Sequence, residues 1–148
     1  MKFVVSACLL GKNTKYNGLN NRNDELVKLL EGHDVITVCP EVMGGLSIPR
    51  FPSEIKGDRV INSEGEDVTR YFLDGADKEL QRVIDFNPDY IITMDRSPSC
   101  GKDEVYDGAF SKKLIKGDGI FVQKLKVHGF KVLGMKEVLV KLNHENIF

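Results

Sequence analysis

Three short runs of consecutive apolar, largely β-branched residues recur along the chain: Phe3-Val4-Val5, Val35-Ile36-Thr37-Val38 and Tyr90-Ile91-Ile92-Thr93-Met94. A fourth, Phe130-Lys131-Val132-Leu133-Gly134-Met135, is interrupted by one lysine. Runs this short, without polar alternation, suit strands buried on both faces, as parallel sheets require. Parallel neighbours need long crossovers, and helical stretches lie between the runs. Asn23 can cap a helix through Asp24, Glu25, Leu26, Val27, Leu29 and Leu30, with Gly32 past its end. Val68, Tyr71, Phe72, Ala76, Leu80, Val83 and Ile84 fall at helical spacing and predict an amphipathic helix from Asp67 or Thr69 to Phe86. Pro88 enforces a break before the third run. Gly119 to Val127 reads as a helix closed by His128-Gly129, and Lys136 to Leu142 as a short final one. Right-handed crossovers place such helices on both faces of the sheet. The fold class expected is a three-layer, Rossmann-like α/β domain with a mostly parallel sheet.

Two stretches escape this alternation. Pro40 to Asp67 is rich in Gly and Pro, with a small hairpin expected around Arg59-Val60-Ile61-Asn62 and Gly65, and Asp95 to Gly117 is irregular throughout. Loops longer than about 12 to 15 residues are uncommon in compact domains and usually functional. At 148 residues the chain is expected to form one domain, 1–148. Its 21 basic and 22 acidic residues leave a net charge of −1, which disfavours a nucleic-acid partner bound by counter-ion release. No apolar run approaches the roughly 18 residues that span a bilayer, so no membrane partner is expected. The apolar segment before Cys8 is also shorter than the roughly 7 to 15 residues of an export signal. A cytoplasmic location is expected.

The three cysteines, Cys8, Cys39 and Cys100, are odd in number and too far apart for a CxxC motif. One cysteine at a strand end is ordinary core filler. Here each of the three stands at or just beyond the C-terminal end of an expected strand, and each opens a polar, Gly-containing loop. In a parallel sheet those ends share one edge, with neighbouring strands about 4.8 Å apart, and that edge is where open α/β sheets bind ligands. Three distant thiols are thereby brought to one crevice. Three thiolates without a fourth ligand suit a metal centre with an open position, and soft sulfur donors select zinc, copper(I) or iron–sulfur clusters. His33, His128 and His144 precede a strand, end a helix and lie in the C-terminal tail, so none is expected at this edge.

The loops carry further candidates. Glu41, two residues after Cys39, can act as a general base or orient water. Gly44 and Gly45 form a turn just beyond it. Arg50, between Pro49 and Pro52, can hold an anion bidentately or pair with Glu41 or Glu54. Ser97 and Ser99 place two hydroxyls beside Cys100. Tyr16-Asn17-Gly18 after Cys8 is echoed by Tyr106-Asp107-Gly108 after Cys100, as two turns or as matching loops over a shared site. The candidate substrate contacts are Tyr16, Gly44, Gly45, Arg50, Tyr106 and Asp107. Gly11-Lys12-Asn13-Thr14 fails the P-loop pattern, and no GxSxG or HExxH motif occurs.

Ser6-Ala7-Cys8-Leu9-Leu10-Gly11, Cys39-Pro40-Glu41-Val42-Met43-Gly44-Gly45-Leu46, Pro49-Arg50, Gly65-Glu66-Asp67-Val68-Thr69, Ser97-Pro98-Ser99-Cys100-Gly101 and Tyr106-Asp107-Gly108 together resemble the bacterial thiouracil desulfidase family, over nearly the whole chain. The resemblance implies a 4Fe–4S cluster held by three cysteines, matching Cys8, Cys39 and Cys100, with one iron left open as a Lewis acid. It implies that a small thiolated pyrimidine is the partner and that uracil and hydrogen sulfide are the products, with no net electron transfer. The residue matching Glu41 would activate water, and a hydroxyl matching Ser97 or Ser99 would orient or protonate. The first loop departs from the family pattern: Lys15-Tyr16-Asn17-Gly18 stands where Arg-Tyr-Asp-Gly is expected, and Asn17 cannot serve as a base. Two other readings compete with the desulfidase. One is a non-catalytic carrier of a metal or cluster on the same thiols. The other is a metal-free cysteine-nucleophile transferase, which needs one low-pKa thiol.

Overall fold

The structure is a computed structural model that describes residues 1–142; His144 lies outside the described residues. In chain order the elements are β1 (Lys2–Ser6), α1 (Asp24–Leu29), β2 (Asp34–Val38), α2 (Pro40–Met43), β3 (Ser53–Lys56) and β4 (Arg59–Asn62). There follow α3 (Thr69–Phe86), β5 (Tyr90–Thr93), β6 (Glu104–Tyr106), β7 (Leu114–Lys116), α4 (Ile120–Val127), β8 (Val132–Gly134) and α5 (Met135–Leu142). A 3-10 turn, Ala7–Leu10, continues directly from β1.

The apolar runs form one parallel sheet in the order β2-β1-β5-β8. Phe3 lies opposite Val35 on one side and Tyr90 on the other, and Ile92 lies opposite Leu133. Successive side chains alternate between faces, as the strand pleat dictates. Val4, Ile91 and Val132 pack with Ala76 and Val83 of α3 and with Phe121, Val122 and Leu125 of α4. Phe3, Val5 and Ile92 pack on the other face with Leu26 of α1 and with Met135 and Val138 of α5. The molecule thus has the expected three-layer α/β arrangement. The chain passes from β1 outward to β2, then returns to the opposite side of β1 as β5, so the switch point lies beside the C-terminal end of β1.

The helices start where the sequence indicates. The Asn23 side chain accepts the N–H of Leu26 and caps α1, and α3 spans the range read from its periodicity. The two stretches expected to be irregular contain more structure. Ser53–Lys56 pairs antiparallel with Arg59–Asn62 around Gly57, so the hairpin folds back on the segment before Arg59, and Gly65 only turns the chain beyond it. Its Val60 packs with Val68 and Phe72 at the start of α3. Glu104–Tyr106 and Leu114–Lys116 form a second hairpin. These strands, three or four residues long and rich in charge, lack the apolar periodicity that marks the central sheet. The short α2 was also unexpected; Pro40 at its first position fits the fixed φ that proline supplies there.

One close packing bears on the site. A Cβ on Gly75 of α3 would run into the Pro40 carbonyl oxygen, and a Cβ on Gly44 would run into that of Tyr71. The α2 turn therefore rests backbone to backbone on α3. No helix among the described residues is long and apolar enough to cross a membrane.

Candidate functional site

Cys8, Cys39 and Cys100 follow β1, β2 and β5, the three neighbouring strands around the switch point, and all three line one cavity of about 420 Å³ at their C-terminal ends. All three are free thiols. Burial pushes the Cys8 thiol up to about 11 and raises Cys39 and Cys100 as well. Cys39 adds to the shift at Cys8, and Cys39 and Cys8 both add to the shift at Cys100. A metal-free nucleophilic cysteine needs the opposite, a thiol held low by positive neighbours.

Glu41, from the first turn of α2, reaches into the same cavity with its side chain 15% exposed. Its Oε1 accepts Arg50 Nε at 3.2 Å and its Oε2 accepts the Ser99 hydroxyl at 2.7 Å. The proton direction along this chain follows from its ends. Ser97 Oγ already accepts the N–H groups of Ser99 and Cys100, and it lies 2.9 Å from Ser99 Oγ. A hydroxyl carries one proton, and Ser99 gives its own to the carboxylate. Ser97 therefore donates to Ser99, and Ser99 to Glu41. The Ser99 oxygen also lies 3.6 Å from Cys100 Sγ, which brings the chain to a thiol.

Arg50 resolves the choice left open by its sequence. Its side chain is 7% exposed and is engaged by Glu41, by the Thr14 carbonyl at 2.8 Å and by the Ser47 carbonyl at 3.3 Å. The anion it holds is Glu41. Tyr16 and Tyr106 line the cavity, as do Ser97 and Ser99. Gly44, Gly45 and Asp107 do not: Gly44 faces α3, and the Asp107 carboxylate accepts the N–H of Ala109 and the Ser111 hydroxyl within its own turn. His33 and His128 are likewise absent from the lining.

One cavity residue, Asn21, is not picked out in the sequence, and another, Glu54, is named there only as a possible partner of Arg50. Asn21 donates from Nδ2 to Met94 Sδ at 3.3 Å and lies 4.0 Å from Cys8 Sγ. Its amide orientation follows from Lys15, a donor only, which gives Nζ–H to Asn21 Oδ1 at 3.1 Å. Glu54 of β3 lines the wall and accepts the N–H groups of Gly108 and Phe110, joining the two hairpins beside the cavity. Turn polarity gave no sign of the Asn21–Met94 contact or of the Glu54 bonds to Gly108 and Phe110, because tertiary folding brings those partners in from remote segments.

A parallel α/β sheet with three thiols and a carboxylate–hydroxyl chain in the crevice at its switch point defines a protein class, an enzyme-type α/β domain with a soft-donor site. A sequence profile of the 2-thiouracil desulfurase family matches residues 3–137, and the chain belongs to that family of desulfidase-type enzymes. The uncharacterized protein YbbK of Bacillus subtilis (strain 168) is 35% identical over 145 residues, covering 91% of this chain and 96% of its own length. A solved structure of the 4Fe–4S-dependent thiouracil desulfidase TudS superposes with a TM-score of 0.85 at 33% identity, covering 96% of this chain and 97% of that one.

Proposed function

We propose that residues 1–148 act as one desulfidase domain that converts thiouracil, or a thiolated pyrimidine nucleotide, and water into the oxygen analogue and hydrogen sulfide. One observation carries the reading: three buried thiols from adjacent strand ends share a cavity with the Glu41–Ser99–Ser97 chain. The donor set fits a 4Fe–4S cluster held by Cys8, Cys39 and Cys100. The three thiols are free and line one cavity, and an all-cysteine donor set is the one that iron–sulfur clusters take. Bound by three cysteines, such a cluster supplies an open iron as a Lewis acid toward a thiocarbonyl sulfur.

The remaining steps fall to the chain itself. Tyr16 and Tyr106 flank the pyrimidine in the cavity. Glu41, held in place by Arg50, takes a proton from a water that attacks the ring carbon, within the hydrogen-bond reach that general-base catalysis requires. Ser99 gives its proton to the departing sulfur and recovers one from Glu41 Oε2, while Ser97 fixes the direction of the Ser99 hydroxyl. The added oxygen gives its remaining proton to Glu41 as the C–S bond breaks and the carbonyl forms; hydrosulfide leaves, that second proton completes hydrogen sulfide, and no electron is gained or lost. The Glu41 network beside the thiols favours this enzyme over a passive carrier of the same cluster.

The test is anaerobic reconstitution with iron and sulfide, followed by assay of sulfide release from thiouracil and its nucleotides. Sulfide release is expected from wild type. The brown chromophore is expected to be lost in each of Cys8→Ser, Cys39→Ser and Cys100→Ser. Full iron retention in any one of these variants, or a loaded wild type inert toward every thiolated pyrimidine, overturns the reading.

A further inference from the structure

Glu79 is a carboxylate buried to 1% exposure on α3, and nothing in the proposed reaction uses it. Burying a charge is costly unless its partners are well placed. Its partners are specific. Oε2 accepts the backbone N–H of Cys39 at 2.7 Å, and Oε1 accepts Arg82 Nη1 at 2.7 Å. Arg82 Nη1 also donates to the Thr37 carbonyl at 3.1 Å. One carboxylate thus ties the last residues of β2 and the turn after it to α3, at the residue that delivers a thiol to the cavity.

The Cys39 N–H lies beyond the last ladder pair of β2, Ser6 opposite Val38, and ahead of the first turn of α2, so neither element supplies its acceptor. Cys8 and Cys100 are held differently. Cys8 lies inside the 3-10 turn, and the Cys100 N–H is taken by Ser97 within its own loop. Only Cys39 depends on a side chain 40 residues away.

We propose that Glu79 is a positioning residue for Cys39: its carboxylate fixes the Cys39 backbone and so the direction of that thiol and of the adjoining Glu41 segment. The purpose of this tether rests on the desulfidase reading, but the tether itself does not. An ordinary core ion pair between Glu79 and Arg82 makes a different forecast for conservative replacement. A glutamine at 79 keeps one carbonyl oxygen. Arg82, at the solvent boundary, can swing away, whereas the Cys39 N–H cannot, so the oxygen faces Cys39.

The experiment measures iodoacetamide alkylation of each cysteine in the cluster-free protein by mass spectrometry. It compares wild type, Glu79→Leu, Glu79→Gln and Val83→Ala, the last a control that perturbs the same helix without touching Cys39. Glu79→Leu is expected to speed alkylation at Cys39 about tenfold through local opening of that segment, with Cys8 and Cys100 changed less than about twofold. Glu79→Gln is expected to restore Cys39 to within about twofold of wild type. Equal acceleration at all three thiols, or a Glu79→Gln profile matching Glu79→Leu, overturns the proposal. If Glu79→Leu does not fold, amide hydrogen exchange in wild type decides. Protection of Cys39 N–H like that of Val5 in the sheet supports the tether, and exchange as fast as an exposed loop amide refutes it. In cluster-loaded protein, Glu79→Leu should lose iron to a chelator faster than Val83→Ala. A wild type that binds no cluster removes the desulfidase reading and leaves the alkylation result to judge Glu79 alone.

Discussion

The segments after β2 and β5 do the same job by different means. Each leaves a parallel strand, delivers a cysteine and a polar side chain to the cavity, and later forms a hairpin at its rim. The Ser97–Gly101 turn is held mostly from within and by the start of the next helix. Ser97 Oγ gathers two of the turn's N–H groups, and the N–H groups of Ile120 and Phe121 at the start of α4 donate to the Pro98 and Ser99 carbonyls. The Cys39–Gly45 turn depends on α3, through Glu79 and through the bare faces of Gly44 and Gly75. Similar loops can therefore be stabilised by local or by long-range contacts, and the two should fail in different ways.

The largest expected effect is at the bond that joins the segments, Glu41 to Ser99. Glu41→Gln should keep the iron content of the reconstituted protein and lower turnover by about 10²- to 10⁴-fold, the usual worth of a general base. Iron analysis alongside sulfide release checks this, and normal turnover would remove Glu41 from the mechanism. Next is Gly75→Ala, whose methyl group meets the Pro40 carbonyl; a loss of about 3 kcal/mol is expected in urea unfolding, at the upper end for overpacking. A near-neutral result would show that the α2 turn is not wedged against α3. Ser97→Ala strands the N–H groups of Ser99 and Cys100 and should cost about 2 kcal/mol, visible as faster hydrogen exchange confined to that turn. If exchange also rises around Cys39, the two segments are coupled more tightly than their separate anchors imply. The smallest effect belongs to Glu54→Gln. It keeps one acceptor for Gly108 and Phe110 and should cost about 1 kcal/mol by thermal unfolding.

The contrast also explains what could be read from the residues alone. The central sheet was legible because burial on both faces demands continuous apolar runs, and α3 because an amphipathic helix repeats its apolar residues. The gathering of the three cysteines at one edge followed from the parallel sheet. The rim hairpins were not legible: Ser53–Lys56 and Glu104–Tyr106 are held by pairing and by Glu54, not by an apolar pattern. Gly44 and Gly45 invited a ligand-contact reading, yet Gly44 is small because a carbonyl from α3 passes over it. Glu79 did leave a signal. It falls in the buried stripe of Phe72, Ala76 and Val83, where a charged residue breaks the apolar face, and such a break marks a carboxylate with a specific partner.

The adjacency of β2, β1 and β5 has a consequence for how such a protein can diversify. Spacing across the sheet is set by main-chain pairing, which is nearly indifferent to side-chain identity, so the strand ends from which the three cysteine-bearing segments depart keep a fixed separation. The rim hairpins carry no such obligation. They can be resurfaced or lengthened without disturbing the ladder, so the rim of the cavity is free to change while the strand ends beneath it stay in place.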